Sequence, residues 1–205
     1  MKRRWFLLLV WFLSFPFLAV GPQQFPPLVV VVDAGHGGED PGAVVAGVKE
    51  KDLVLDIVLR IFELAGEGPV EVILTRATDR YVDLKDRVKF AEEVGAVLYL
   101  SVHVNYSSST YVRGIEVWVD NTRKPDDPSW KLAGSVLRAL VAETGARDRG
   151  VRSQKLYMRH TKLPAVLVEV GYLSNPAERR LLLDTSYRDR VAKGILQGIY
   201  DFLGL

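Results

Sequence analysis

Short apolar runs alternate with amphipathic stretches from Leu28 onward, and this alternation limits the possible folds more than any other feature of the chain. Leu28–Val32 is short and wholly apolar, and reads as a fully buried strand. Glu50–Ala65 has the helical period, with Leu53, Ile57 and Ile61 beside Val54, Val58 and Phe62. Gly66 and Gly68-Pro69 end it. Further strands are expected at Val70–Thr75, Ala96–Val104, Gly114–Val119 and Ala165–Val170, with a short one at Leu156–Met158. Further helices are expected at Asp83–Val94 and at Ser129–Thr144, the latter capped by its serine and stopped by Gly145. Another starts at an Asn175 cap with Pro176 in its first turn, and the last covers Ser186–Phe202. Strands and helices in this order give a layered α/β domain.

At 205 residues the chain suits one domain. Its 48% hydrophobic and 25% charged residues are those of an ordinary globular protein. A net charge of +2 without a basic stripe argues against a dedicated nucleic-acid binder. There are no cysteines, so disulfides and thiolate chemistry are excluded, and a metal must be held by His, Asp or Glu.

The N-terminus has the layout of an export signal. Lys2, Arg3 and Arg4 precede the apolar run Trp5–Val20, and Gly21-Pro22-Gln23-Gln24 follows. The run is long for a signal core and short of the roughly 20 residues that span a bilayer. Ala19 and Gly21 suit a cleavage site, whereas Pro22 does not. Residues 1–21 are therefore read as a signal peptide or a retained N-terminal membrane anchor, and residues 22–27 as a linker to the domain at 28–205. The expected location is outside the cytoplasm, in the periplasm or at the cell wall, with membrane contact only through an uncleaved N-terminal segment.

Four polar residues fall at the ends of these elements, where α/β proteins build their sites. His36 follows the first strand in the glycine-rich turn Gly35-His36-Gly37-Gly38. Glu50 opens the first helix. His103 ends the apolar run Val97–Val102, and Glu169 interrupts Val168-Glu169-Val170. A lone histidine is more often structural, and a lone Glu50 would be a solvated acid favoured by the helix dipole. Glu169 is different, because a carboxyl among valines is costly to bury without a partner or a task. Together the four suit a metal-dependent hydrolase. Two imidazoles and a carboxylate, His36, His103 and Glu50, make a three-ligand zinc site with an open position. Glu169 is then the general base. Asp33, Asp40 and Asn105 are candidates to orient the histidines. His160 reads as a surface residue or a substrate contact. Arg147, Arg149 and Arg152 read as a solvated basic face or as receptors for acidic groups.

The motifs resemble one family in order along nearly all of Leu28–Leu205. Asp33-Ala34-Gly35-His36-Gly37-Gly38 with Asp40-Pro41-Gly42-Ala43 is similar to the opening of the zinc-dependent N-acetylmuramoyl-L-alanine amidases. Lys49-Glu50-Lys51-Asp52-Leu53 resembles their carboxylate-ligand motif. Leu74-Thr75-Arg76 with Thr78-Asp79, Leu84 and Arg87 resembles the next block. Ser101-Val102-His103-Val104-Asn105 resembles the block with the second histidine, and Gly114-Ile115-Glu116-Val117-Trp118 follows in order. Leu163–Asn175 resembles the block with the catalytic glutamate.

The resemblance implies a single three-layer domain with a central, mostly parallel sheet flanked by helices. It also implies one Zn2+ and peptidoglycan as partner, with hydrolysis of the bond between the lactyl group of N-acetylmuramic acid and L-alanine. Some relatives carry a helical plug that a protein activator removes. Asp120–Trp130 is short here and reads as a plain loop. The weighed alternatives are a zinc peptidase cutting within the stem peptide and a catalytically dead wall-binding protein.

Overall fold

The computed structural model describes residues 28–66 and 68–205. The export segment and linker expected over 1–27 lie outside the described residues. In chain order the strands are β1 (Leu28–Ala34), β2 (Val44–Val45), β3 (Val48–Lys49), β4 (Val70–Leu74), β5 (Leu98–Asn105), β6 (Ile115–Asp120), β7 (Asp148–Gln154) and β8 (Ala165–Tyr172). The helices are α1 (Glu50–Ala65), α2 (Leu84–Glu93), α3 (Pro128–Thr144), α4 (Pro176–Leu183) and α5 (Thr185–Leu203). A six-stranded sheet runs in the order β4-β1-β5-β8-β6-β7, and β2 and β3 form a separate hairpin. Every pairing in the large sheet is parallel except β6 with β8. This is the layered, mostly parallel α/β domain that the sequence leads one to expect.

Both sheet faces are covered, so the strands are apolar throughout rather than alternating. One face packs on α1, α3 and α5 through Val30 and Val32 of β1, Leu98, Leu100 and Val102 of β5, and Val166 and Val168 of β8. The other face is smaller. It gathers Val31, Tyr99, Ala165 and Leu167 with Val88 and Ala91 of α2 and Met158 of a 3-10 turn (Tyr157–His160). Side chains along a strand point to alternate faces. His103, Glu169 and Glu116 share the parity of Tyr99, Leu167 and Trp118, and so stand on this second, thinner face.

Several local expectations shift. Leu156–Met158 is not a strand: Leu156 precedes the 3-10 turn. The edge strand β7 carries no apolar run, and β2 and β3 are two residues each, so both features escape a pattern reading. The cap of α3 is Asp127, whose side chain accepts from Ser129 N, with Pro128 in the first turn; Ser129 itself is buried. Asn175 does cap α4, and Asp184 caps α5. Residues 121–127, between β6 and α3, form turns with no inserted helix.

Candidate metal centre and active site

Protein hydrogen bonds alone hold the turn after β1. Gly35 N donates to Val102 O, and Gly37 and Asp40 exchange backbone hydrogen bonds of 2.9 and 3.1 Å. Two buried arginines hold its carbonyls. Arg76 donates to Ala34 O and Gly35 O, at 2.9 and 2.8 Å. Arg87 donates to Ala34 O and His36 O, both at 2.6 Å. So restrained, His36 takes φ 59, a left-handed conformation that costs a non-glycine residue roughly 1–2 kcal/mol. Gly35 leaves room for the facing imidazole, since a Cβ there would fall 2.3 Å from His103 Cε1.

Three elements then converge. His36 Nε2 lies 3.1 Å from Glu50 Oε1, and His103 Nδ1 lies 3.0 Å from the same oxygen. The two rings meet edge-to-face, with centroids 4.9 Å apart. One ligand atom from each of His36, Glu50 and His103 fits within a 4.8 Å cluster that could hold a metal ion. Asp40 accepts from His36 Nδ1 at 2.8 Å, leaving Nε2 turned toward Glu50. Glu50 sits in the first turn of α1, where the helix dipole favours an anion. Its Oε1 also accepts from Val104 N and its Oε2 from Ala43 N, both at 2.9 Å. Burial disfavours its charge, but the two imidazoles outweigh that and hold the carboxyl well below the usual range.

Glu169 is the cross-strand neighbour of His103, and Glu116 is the neighbour of Glu169 on the next strand. Glu169 Oε2 is buried with no hydrogen-bond partner among the described residues. Burial, reinforced by the Glu50 and Glu116 carboxylates, pushes its carboxyl well above the usual range. Glu116, only 2% exposed, is by contrast fully engaged. Its Oε1 accepts from Arg149 Nε at 2.6 Å and Tyr172 OH at 3.0 Å, with Arg152 Nε at 3.1 Å. Asn105 Nδ2 donates to its other oxygen at 3.3 Å.

The sequence-derived residues thus separate into two groups. His36, Glu50 and His103 come together, and Glu169 stands beside them. Of the three orienting candidates only Asp40 reaches a histidine. Asp33 is bound instead by Thr75, Ser101 and Arg87, and Asn105 by Glu116. Arg149 and Arg152 are drawn to Glu116 rather than forming a free basic face. His160 lies on the surface against Tyr157, ring centroids 4.8 Å apart. Sequence reasoning assigned no role to Arg76, Arg87 or Glu116. Glu116 carried the same signal as Glu169, an acid between apolar strand residues.

A cleft of about 370 Å3 opens beside both histidines. Tyr99, Ser101 and Leu167 of the sheet line it, together with Val82, Leu84 and Val88 on one side and Lys155, Tyr157 and Met158 on the other.

Residues 30–201 match the family described as N-acetylmuramoyl-L-alanine amidase, Amidase_3. The N-acetylmuramoyl-L-alanine amidase LytC of Bacillus subtilis (strain 168) is 33% identical over 174 residues, which is 84% of this chain and 35% of that protein. The chain thus spans about a third of that relative's length. Among solved structures, the catalytic domain of CwlV, an N-acetylmuramoyl-L-alanine amidase from Bacillus (Paenibacillus) polymyxa var. colistinus, aligns with a TM-score of 0.81 at 39% identity, covering 86% of this chain and 98% of that one. The CwlD amidase of Clostridioides difficile, solved in complex with the GerS lipoprotein, aligns with a TM-score of 0.80 at 29% identity over 86% and 98% of the two chains.

Proposed function

The chain belongs to the N-acetylmuramoyl-L-alanine amidase family, and from that membership we propose that it is a zinc-dependent hydrolase of peptidoglycan. The bond cut is the amide between the lactyl group of N-acetylmuramic acid and L-alanine of the stem peptide. The observation that carries this reading is the convergence of His36, Glu50 and His103 beside a buried carboxyl with an unpartnered oxygen.

The donor set fits a zinc ion: two imidazoles and one carboxylate, with one imidazole oriented by Asp40. Bound there, zinc supplies Lewis acidity toward the amide carbonyl and lowers the pKa of a water to about 7. Glu169 fits the same arrangement. Its raised proton affinity reflects burial and two neighbouring carboxylates, and a dication held by His36, Glu50 and His103 would favour its ionised form. Glu169 then accepts the proton of the attacking water and delivers it to the leaving amine. Glu116 is held by Arg149 and Arg152 and has no part in this scheme.

Residues 28–205 are the catalytic domain in this reading, and residues 1–21 direct export to the cell-wall compartment, by cleavage or as an anchor. CwlD is a relative found with a lipoprotein partner, and a protein activator for this chain is part of the same proposal.

The test is incubation of the purified protein with peptidoglycan, followed by mass spectrometry of the released products. Stem peptides with a new L-alanine amino terminus, lost on chelation and restored by zinc, are the expected products. Cuts inside the peptide would instead identify a peptidase, and a metal-loaded protein releasing nothing would point to a missing activator or to a binding role.

A further inference from the structure

We propose that the cleft leading from His36 and His103 to Lys155 is the stem-peptide subsite, with the Lys155 ammonium receiving a free carboxylate of the peptide. The inference rests on the hydrolase reading above and assigns one part of the substrate to one part of the surface.

Both histidines of the candidate metal centre line the cleft, so a ligand in it lies next to that centre. Its walls are largely apolar, from Val82, Leu84, Val88, Tyr157 and Met158. Such walls suit alanine methyls and aliphatic side-chain stems.

Charge narrows the choice further. The cleft is lined by two carboxylates, and both are already engaged: Asp33 with Arg87 at 2.8 Å and Asp40 with His36 at 2.8 Å. Arg87 is spent on Asp33 and on the carbonyls of the glycine-rich turn. Among the described residues Lys155 has no carboxylate within salt-bridge distance, so it is the lining cation left for a ligand. A stem peptide carries free carboxylates, whereas the glycan is uncharged apart from them. An anion in this cleft therefore comes from the peptide.

Paired muropeptides test the assignment, one set with free stem carboxylates and one with the same carboxylates amidated. The measurements are KM for hydrolysis by the zinc-loaded protein and, independently of turnover, the affinity of each free stem peptide by calorimetry. Lys155 is exposed, so its contribution is modest and salt-sensitive. The wild-type protein is expected to prefer the free-carboxylate form by roughly two- to fivefold at low salt. In Lys155→Gln that ratio falls to about one, while Lys155→Arg keeps it. An equal response of both peptides to Lys155→Gln, or no preference in the wild-type protein, overturns the subsite. Peptide binding with the expected preference but without hydrolysis would count against the hydrolase reading and leave the subsite standing.

Discussion

Glu169 is expensive where it stands, and the two sides of that cost can be separated by substitution. A buried carboxyl oxygen without a partner carries a desolvation penalty of about 1–3 kcal/mol. A structural carboxyl so placed would be better replaced by its amide, which has no charge to bury. Glu169→Gln should therefore fold at least as stably as the wild-type protein while losing about 100- to 10,000-fold in kcat. Thermal melts and turnover on peptidoglycan fragments read the two effects separately, and an active Glu169→Gln protein would remove the base from the scheme. Asp33 is the opposite case, a buried carboxyl that is fully partnered. Burial raises its proton affinity, but Arg87 and the hydroxyls of Ser101 and Thr75 outweigh that and hold the carboxyl below its ordinary value. A depressed folded pKa means stability that is present above the unfolded value of about 3.9 and lost as pH falls through the folded one. Arg87→Ala leaves Asp33 buried and charged, at a cost of about 3–5 kcal/mol at pH 7. Asp33 then gains by taking up a proton, so the gap between variant and wild type should narrow on acidification. Urea midpoints from pH 7 down to pH 4 give the sign, and a gap that widens would contradict it.

At the scale of elements, α3 and α5 pack backbone against backbone. Gly198 of α5 sits so near α3 that a Cβ would fall 2.5 Å from Val136 Cα and 3.0 Å from Val136 N. Alanine gains about 1 kcal/mol of helix propensity over glycine. Here the gain is overridden, because backbone rather than a flexible side chain must move, and overpacking costs about 1–3 kcal/mol. Gly198→Ala should thus lower stability, seen as a lower urea midpoint with an unchanged m-value. The same scale explains what the sequence revealed. β1, β5 and β8 were legible because each is a short apolar run, and α1 and α3 because their apolar faces repeat with the helical period. His36 after β1 and Glu50 at the start of α1 stand at element ends as expected, whereas His103 and Glu169 lie inside β5 and β8, which continue past them to Asn105 and Tyr172. The face of the sheet was not legible, since strands covered on both sides show no alternation and hide which residues share a side. β7 was missed because Asp148–Gln154 has a single large apolar residue, Val151, and a glycine. It is held as a strand by its register on β6. That omission also concealed Glu116, whose partners Arg149 and Arg152 stand on β7 and looked like a solvated basic run. Leu156–Met158 has an apolar pattern too short to distinguish a strand from a 3-10 turn.

At the scale of the whole molecule, the candidate metal centre is assembled from pieces that do not need the metal. His36 is fixed by the turn that Arg76 and Arg87 clamp, Glu50 by backbone donors from Ala43 and Val104, and His103 by its place in the sheet between β1 and β8. Both apolar faces of that sheet are covered by protein, with the larger core against α1, α3 and α5. Zinc bound to such a preformed site stabilises by mass action, about 4 kcal/mol when free metal is a thousand times its dissociation constant. For a domain of this size each kcal/mol is about 2–4 °C in Tm. Chelation should consequently abolish hydrolysis and lower Tm by roughly 8–16 °C, with the unfolding transition still cooperative and the far-ultraviolet dichroism of the folded state unchanged. Zinc should restore both. Alanine at His36 or His103 should leave a protein whose Tm no longer responds to zinc, which separates binding at this site from adventitious binding elsewhere. A chelated protein without a cooperative transition would show that the metal organises the fold, against the hydrogen-bonded framework described above.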